Sequence, residues 1–583
     1  MKMKNIISIL FLVSASYYFT SCDDYLEMPA QTSFNQDSVF VNYRNAETYL
    51  YSLYERVPSI VLGWTDILNG PSRVSLTDEA GSLALQSSYR SHKVYGGNVD
   101  ATWFTTSLGE DYYSRHWTSI RRNFIMIENI DNVSDITTTE KERIKAECKI
   151  LIALEYFELF KRYGGVPLVK ESLTADYPIL DRESIENVVN YIVELCDEAI
   201  ASPNLPAKVT RSIEFGRATK ALAYGLKART LLYAASPLFN TATPYMSLGE
   251  NNKSICYTNY DKNRWKLAMD AASEAINFCE SNGYAIVTDY GIDRNYVVAC
   301  CKRPKDGNTE IMFGTMNSNS SATVRYTWSF RGRQRGAACN SPTHNAVEFY
   351  QNRDGSKVNW DQVIRTSAGN PDEPYENLDP RFDQTIAYNG SVWRTNPTMI
   401  VEFFDAGEDG VTDGKEGKKT AKTEYYYGTR KYLNGYEETS SGFLPMSPVM
   451  RLAEMYFIYA EASNEYQGPN ATAFDLLDAI RLRSGMPEVN RSFSQEELRD
   501  FIVNERAVEF YAEDHRYFDV KRWLVQNPFV NIYNVKVLKW ADDTYTYEKY
   551  LHQERAWYDH WYLHPFPQAE INKNYGLIQN PGW

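Results

Sequence analysis

The chain has 583 residues, of which 43% are hydrophobic, 14% aromatic and 23% charged, and a formal charge of −14. That is enough apolar material for a large core. An acidic chain without a basic stripe excludes nucleic acid as a partner, because phosphate contacts would have to overcome overall repulsion. The aromatic content is unusual, with 44 Tyr and 12 Trp, which serves either cores or flat surfaces for stacking.

The N-terminus reads as an export signal. Lys2 and Lys4 precede a short apolar run over Ile6 to Val13, less than half of the about 20 residues a membrane-spanning helix needs. Small residues then lead to Thr20–Ser21–Cys22, the form of a lipoprotein processing site, with Phe19 where a Leu is usual. Residues 1–21 are therefore assigned as the signal and Cys22 as the acylated new N-terminus. An ordinary cleaved signal with an incidental Cys is the alternative. Losing Lys2 and Lys4 takes the charge to about −16. The other cysteines, at 148, 196, 256, 279, 300, 301 and 339, form no CxxC pair, and adjacent Cys300–Cys301 is poor disulfide geometry. They read as small buried hydrophobes, not as a zinc or redox centre.

Helical periodicity begins at about Val39 to Arg56. Residues 57–110 lack it and are rich in Gly, Ser and aromatics. Helices resume over Ser114–Ile130 and Thr139–Tyr163; KILIALEYFELF in the latter is apolar nearly all round, as expected of a central helix. Gly164, Gly165 and Pro167 stop it. A helix near 183–201 follows. Then comes GRATKALAYGLKARTLLYAASP, with a small-residue surface at Ala218, Ala221, Leu222, Gly225 and Ala228 suited to close packing, and NRWKLAMDAASEAINFC as its partner. Residues 284–447 are broken by Gly, Asn, Ser and Asp. Helices return in VMRLAEMYFIYAEASNE, TAFDLLDAIRLRSGMP, SQEELRDFIVNERAVEFYAED and HRYFDVKRWL, the third opening with Ser494 and Glu497 at capping-box spacing. The fold class predicted is mainly α: a tetratricopeptide-like scaffold of helical pairs with long irregular loop insertions. The two regions are 22–283 and 284–583, the latter divided into a loop-rich part, 284–447, and a helical part, 448–583. Loops this long are usually functional when ordered.

Several constellations invite chemistry. Glu505 and Glu509 stand one helical turn apart on the face of Phe501, Ile502 and Val508, but buried carboxylates need cations. Arg451, Arg481, Arg483, Arg506, Arg516 and Arg522 are near in sequence, so a structural ion-pair network is preferred to acid–base catalysis. His560 and His564, with His552 upstream, lack HExxH spacing, and Pro565 and Pro567 oppose a helix; aromatic packing is preferred to zinc. The loop AGEDGVTDGKEGKK does not match the calcium-loop spacing of an EF-hand, so it reads as a solvated turn, with calcium the lesser alternative. No cofactor is expected, and no GxSxG, P-loop or dinucleotide fingerprint occurs.

The remaining signal is aromatics in the loops. Trp64, Tyr95 and Trp103 lie in the first irregular region, and Tyr326, Trp328 and Trp393 in the second. Sugar rings pack their C–H faces on such planes, while Arg73, Asn98, Arg331 and Arg333 offer hydrogen bonds to hydroxyls. The competing reading is that each Trp anchors its own loop to the core.

Several stretches in fixed order resemble the SusD/RagB family of nutrient-binding lipoproteins. RLAEMYFIYAEASNE, AIRLRSGMP, ERAVEFYAEDHRYFDVKRW and the closing HPFPQAEINKN and LIQNPGW resemble its C-terminal half. ALEYFELFKRYGGVPLV and CDDYLE resemble its N-terminal half, with NLDPRF at 377–382 and RKYL at 430–433 in the expected order. The resemblance covers essentially the whole mature chain. It implies a tetratricopeptide-like scaffold, a lipid anchor in the outer membrane facing outward, and a SusC-type TonB-dependent transporter as partner, with this protein as a lid over its barrel. It further implies oligosaccharide binding without catalysis, with Trp103 where a stacking aromatic often lies and Arg73 and Trp328 in regions that supply contacts. Peptide as the ligand, a glycan hydrolase and a pure interaction scaffold are the alternatives.

Overall fold

The computed structural model describes residues 39–583, apart from 56, 58–70, 84–88, 104–112, 174–179, 316–320, 331, 335, 396, 411–423 and 434–445. The signal, Cys22, Trp64, Arg331 and most of the acidic loop at 406–419 therefore lie outside the described residues.

The helices follow the periodicity closely: α1 (Tyr43–Tyr54), α2 (Tyr113–Asn129), α3 (Thr138–Tyr163), α4 (Ile185–Ala201), α5 (Lys220–Ala235) and α6 (Asn263–Ser281) in the first region. The last part of the chain adds α7 (Leu452–Gln467), α8 (Ala471–Arg483), α9 (Gln495–Glu509) and α10 (Arg516–Arg522). From α2 to α6 each helix packs on the next in the chain. α6 packs on α7, across the loop-rich part, and α7 on α8 and α9. The result is one row of helices with a continuous core that draws on both sequence regions, from Leu50 through Phe157 and Leu226 to Phe457 and Ile502. The caps are those the sequence encodes. Ser494 and Glu497 form a reciprocal capping box, and Thr137 accepts from the Glu140 N–H at the start of α3.

Two details correct the sequence reading. Val449, Met450 and Arg451 belong not to a helix but to the strand Ser447–Arg451, which pairs antiparallel with Ile311–Thr315. Gly225 of α5 is the reason that strand pair can sit so close. A Cβ there would lie 2.1 Å from Met450 Sδ and 2.8 Å from Met312 Cε, so the small-residue surface admits strand methionines as well as a helix. Second, the nominally helical part 448–583 contains a long hairpin, Asn531–Lys539 with Tyr545–Glu554. Val535 and Val537 alternate inward as a strand requires, and a register shift between Ile532 and Tyr533 lets Ile532 be buried as well.

The loop-rich part has a second core, built chiefly of rings: Trp328, Phe330, Tyr375, Phe382, Trp393, Phe403 and Tyr427 are all buried in it. Cys148, Cys196, Cys256, Cys279, Cys300, Cys301 and Cys339 are all free and buried, as small hydrophobes are expected to be.

Candidate functional site

Two loops that the sequence separates by about 260 residues are sewn together. Ala80–Gly81 pairs antiparallel with Ser341–Pro342. The Ser72 N–H donates to Asn340 Oδ1 at 2.9 Å, and the Thr343 N–H to the Glu79 carbonyl at 3.1 Å. Tyr89, Ala337 and Cys339 close a small apolar cluster across the same seam. The first loop is also fastened to the C-terminal helices. Arg516 grips Asp78 through two hydrogen bonds, of 3.0 and 2.8 Å. Arg73 grips Asp514, both at 2.6 Å. The described parts of both aromatic-bearing regions are thus fastened into one unit.

Within that unit the expected ligand residues divide into two groups. Trp103 packs with Tyr95 and Leu76 and is buried. Tyr95 donates its hydroxyl to the Ser75 carbonyl, with Arg555 stacked 3.8 Å from its ring centroid. Trp328, 2% exposed, meets the Tyr432 ring edge at 4.8 Å. Trp393 is buried on Phe330, with the Arg430 guanidinium 5.6 Å from its ring centroid. In this arrangement these rings are loop anchors, because a sugar needs an open face. Arg333 is held by buried Asp409, and Arg73 by Asp514. Tyr326, 45% exposed, and Asn98 present open side chains.

Glu505 and Glu509 form part of a buried network of five acids and five bases: Glu310, Asp379, Glu505, Glu509 and Glu513 with Arg381, Lys431, Arg451, Arg481 and Arg483. The formal charges cancel. Glu509 alone meets Arg381 at 3.1 Å, Arg451 at 2.7 Å and Arg483 at 2.5 Å. Burial would raise the carboxyls of Glu505, Glu509 and Glu513, but the surrounding cations outweigh it and hold all three below the usual range. Arg451, Arg481 and Arg483 are the expected partners. Arg506 and Arg522 serve Asp519 and Glu461 instead, and Arg516 serves Asp78. Sequence reasoning missed Arg381 and Lys431, which stand in the NLDPRF and RKYL stretches and so carried a signal of motif without a visible partner.

Glu79 has no such cation in contact. Burial pushes its carboxyl up to about 8, against the pull of the Ala512 N–H that donates to it at 3.1 Å. His560 stacks on Tyr558, and His564 bonds the Tyr517 hydroxyl at 3.1 Å with the Tyr163 ring at its edge. This is the aromatic packing expected of them. Among the described residues no group of three His, Cys, Asp or Glu side chains is placed to hold a metal.

The model of the SusD family matches residues 306–583, and a second family model, described as starch-binding and associating with the outer membrane, matches residues 72–232. The starch-binding protein SusD of Bacteroides thetaiotaomicron is 24% identical over 471 residues, which cover 78% of this chain and 75% of that one. A crystal structure of a SusD-like protein from Bacteroides fragilis superposes with a TM-score of 0.75 at 24% identity, covering 94% and 98% of the two chains. A laminarin-binding SusD-like protein superposes at 0.55 with 18% identity, over 93% and 100%.

Proposed function

The chain belongs to the SusD family, and from that premise we propose that it is a non-enzymatic surface lipoprotein that captures oligosaccharide and passes it to a SusC-like TonB-dependent transporter. The observation that carries this reading is the seam between Ala80–Gly81 and Ser341–Pro342. It fastens the two aromatic-bearing loops to one another, and Tyr326 in the second and Asn98 in the first are open to solvent. Relatives described as binding starch and laminarin support glycan as the ligand class. Tyr326 and Asn98 would make direct contacts, while Trp103, Trp328, Trp393 and Tyr95 hold the loops that present them. Acylation at Cys22 would tether the protein, since two or more acyl chains anchor stably where one alone is marginal.

The state of Glu505 and Glu509 argues against a catalytic role for that pair. A general acid for glycoside cleavage needs a raised pKa, and the guanidinium groups of Arg381, Arg451, Arg481 and Arg483 hold this pair ionised instead. The test is a glycan array probed with the mature protein, followed by calorimetry on the strongest ligand and an assay for new reducing ends. Saturable glycan binding without new reducing ends is expected. Binding to a peptide array and to no glycan would replace the ligand class, and new reducing ends would replace the reading altogether.

A further inference from the structure

A second exposed aromatic surface adjoins Asn98 from the far end of the chain. Tyr558, 48% exposed, stacks on His560 with ring centroids 5.5 Å apart and planes within 10°. Trp561 meets the Tyr558 ring edge-on at 5.2 Å, and Trp583 meets His560 edge-on at 4.5 Å. The Trp583 indole N–H donates to the His560 and Leu563 carbonyls at 3.0 and 3.1 Å. The stack is therefore clamped from beneath before any ligand arrives. Burial lowers the His560 pKa, which favours the neutral ring as a stacking partner.

The loop of Asn98 is fitted to this stack. The Ala556 N–H donates to the Tyr95 carbonyl at 2.8 Å. Gly97 has φ +70°, and a Cβ there would lie 2.9 Å from the Tyr558 hydroxyl oxygen. Only glycine meets both demands. Among the described residues, neither the Asn98 carboxamide nor the Tyr558 hydroxyl has a hydrogen-bond partner. An exposed ring held rigid, with an unpaired hydroxyl and an unpaired amide beside it, offers what a pyranose asks for: an apolar face for its C–H groups and donors and acceptors at the rim.

We propose that Tyr558, backed by His560, is a stacking subsite for one sugar ring of a bound oligosaccharide, and that Asn98 hydrogen-bonds the hydroxyls of that ring or its neighbour. This rests on the glycan-binding reading above and extends it to a part of the chain outside the two aromatic loops. A rigid, already clamped platform loses little entropy on binding, so its contribution appears directly in affinity.

The experiment compares the mature protein with Tyr558→Ala, Tyr558→Phe and Asn98→Ala by calorimetry on laminarihexaose, maltoheptaose and the strongest array glycan. Tyr558→Ala is expected to weaken binding about tenfold, or about 1.4 kcal/mol, and Tyr558→Phe to retain most of the affinity because it keeps the ring. Unfolding midpoints report whether each variant keeps its fold, and Asn98→Ala probes the same subsite from the other element. Wild-type affinity in both Tyr558→Ala and Asn98→Ala would overturn the subsite and leave glycan binding standing. A wild-type protein that binds no glycan at all would overturn the reading beneath it.

Discussion

The C-terminal helices and the loop-rich part solve the same problem, how to fix a large buried interior, by opposite means. Around α9 the interior is charged: five acids and five bases, their side chains each at most 3% exposed, neutralise one another. In 284–447 the interior is aromatic, with Phe330 edge-on to Trp393 and Phe403 at 5.0 Å each, and Tyr375 packed against Phe382, Tyr388 and Tyr427. An ion network tolerates almost no substitution, because removing one member strands its partners. A ring cluster tolerates changes that keep volume. The stretches that identify the family, NLDPRF, RKYL, RLAEMYF, AIRLRSGMP and ERAVEFYAED, supply Asp379, Arg381, Lys431, Arg451, Arg481, Arg483, Glu505, Glu509 and Glu513. They specify the scaffold and say nothing of the ligand. On the proposed reading ligand preference would fall to the exposed loop residues, which can be exchanged without unpairing a buried charge.

The comparison breaks first at Arg381. This side chain contacts Asp379, Glu505 and Glu509, so Arg381→Ala leaves three buried carboxylates short of a cation. A loss of about 5 kcal/mol is expected, read as a large fall in the denaturation midpoint. The same network makes acid the weak side of the molecule. Glu505, Glu509 and Glu513 titrate lower in the fold than in the unfolded chain. Their stabilisation is full above about pH 5 and is lost as pH falls through the folded values. Midpoints measured from pH 6 down to pH 3 should drop steadily, and a flat profile would remove the network from the account of stability.

Trp328 tests the aromatic side. Truncation to Ala opens a cavity against Tyr432 in the second core and is expected to cost about 3–4 kcal/mol. Trp328→Phe should cost far less, whereas Arg381→Lys should recover little of the loss, since a single ammonium cannot replace a bidentate fork. If the two conservative replacements are tolerated equally, the contrast between the regions is wrong.

The helices and their caps were legible because burial there is periodic: the apolar face of α4 and the Ser494–Glu497 box are written in local spacing. The ion network was half legible. Glu505 and Glu509 sit on one helix, Arg481 and Arg483 in or beside the helix before it, and Arg451 ends a nearby strand, but Arg381 lies 124 residues before Glu505, and only the fold brings them together. The loop tryptophans were least legible. A Trp in an aperiodic loop has no period to say which way it faces, and anchoring a loop and presenting a stacking face leave the same trace in sequence. The seam at Ala80–Gly81 and Ser341–Pro342 spans only two residues per strand, too short for alternation to mark it.

Glu79 sits where the two regions meet, between the Thr343 N–H and the Ala512 N–H. Its pKa is raised by burial to about 8, so the folded state holds a proton that the unfolded chain has already released above about pH 5. Stability from this group is therefore full at low pH and declines as pH rises toward 8, opposite in sign to the network. Glu79→Gln keeps an acceptor for the Ala512 N–H and removes the ionisation. It should stabilise by on the order of 2 kcal/mol at pH 8 and much less at pH 5. A variant with the same gain at both pH values would show that charge is not the cause.

Tyr326 carries the smallest effect on stability and the sharpest one on function. Its side chain is 45% exposed, so Tyr326→Ala should move the unfolding free energy by no more than about 0.5 kcal/mol. If the sewn loops are a glycan surface, the same substitution should weaken oligosaccharide binding about tenfold, the order expected for one lost aromatic contact. Trp328→Ala should lower affinity only in proportion to the fraction unfolded, a loss that cooling or a stabilising background reverses. Separating the two variants in this way distinguishes a ring that touches ligand from a ring that holds the loop in place. An affinity loss in Trp328→Ala that persists in fully folded protein would move Trp328 from the core of the loop region to its binding face.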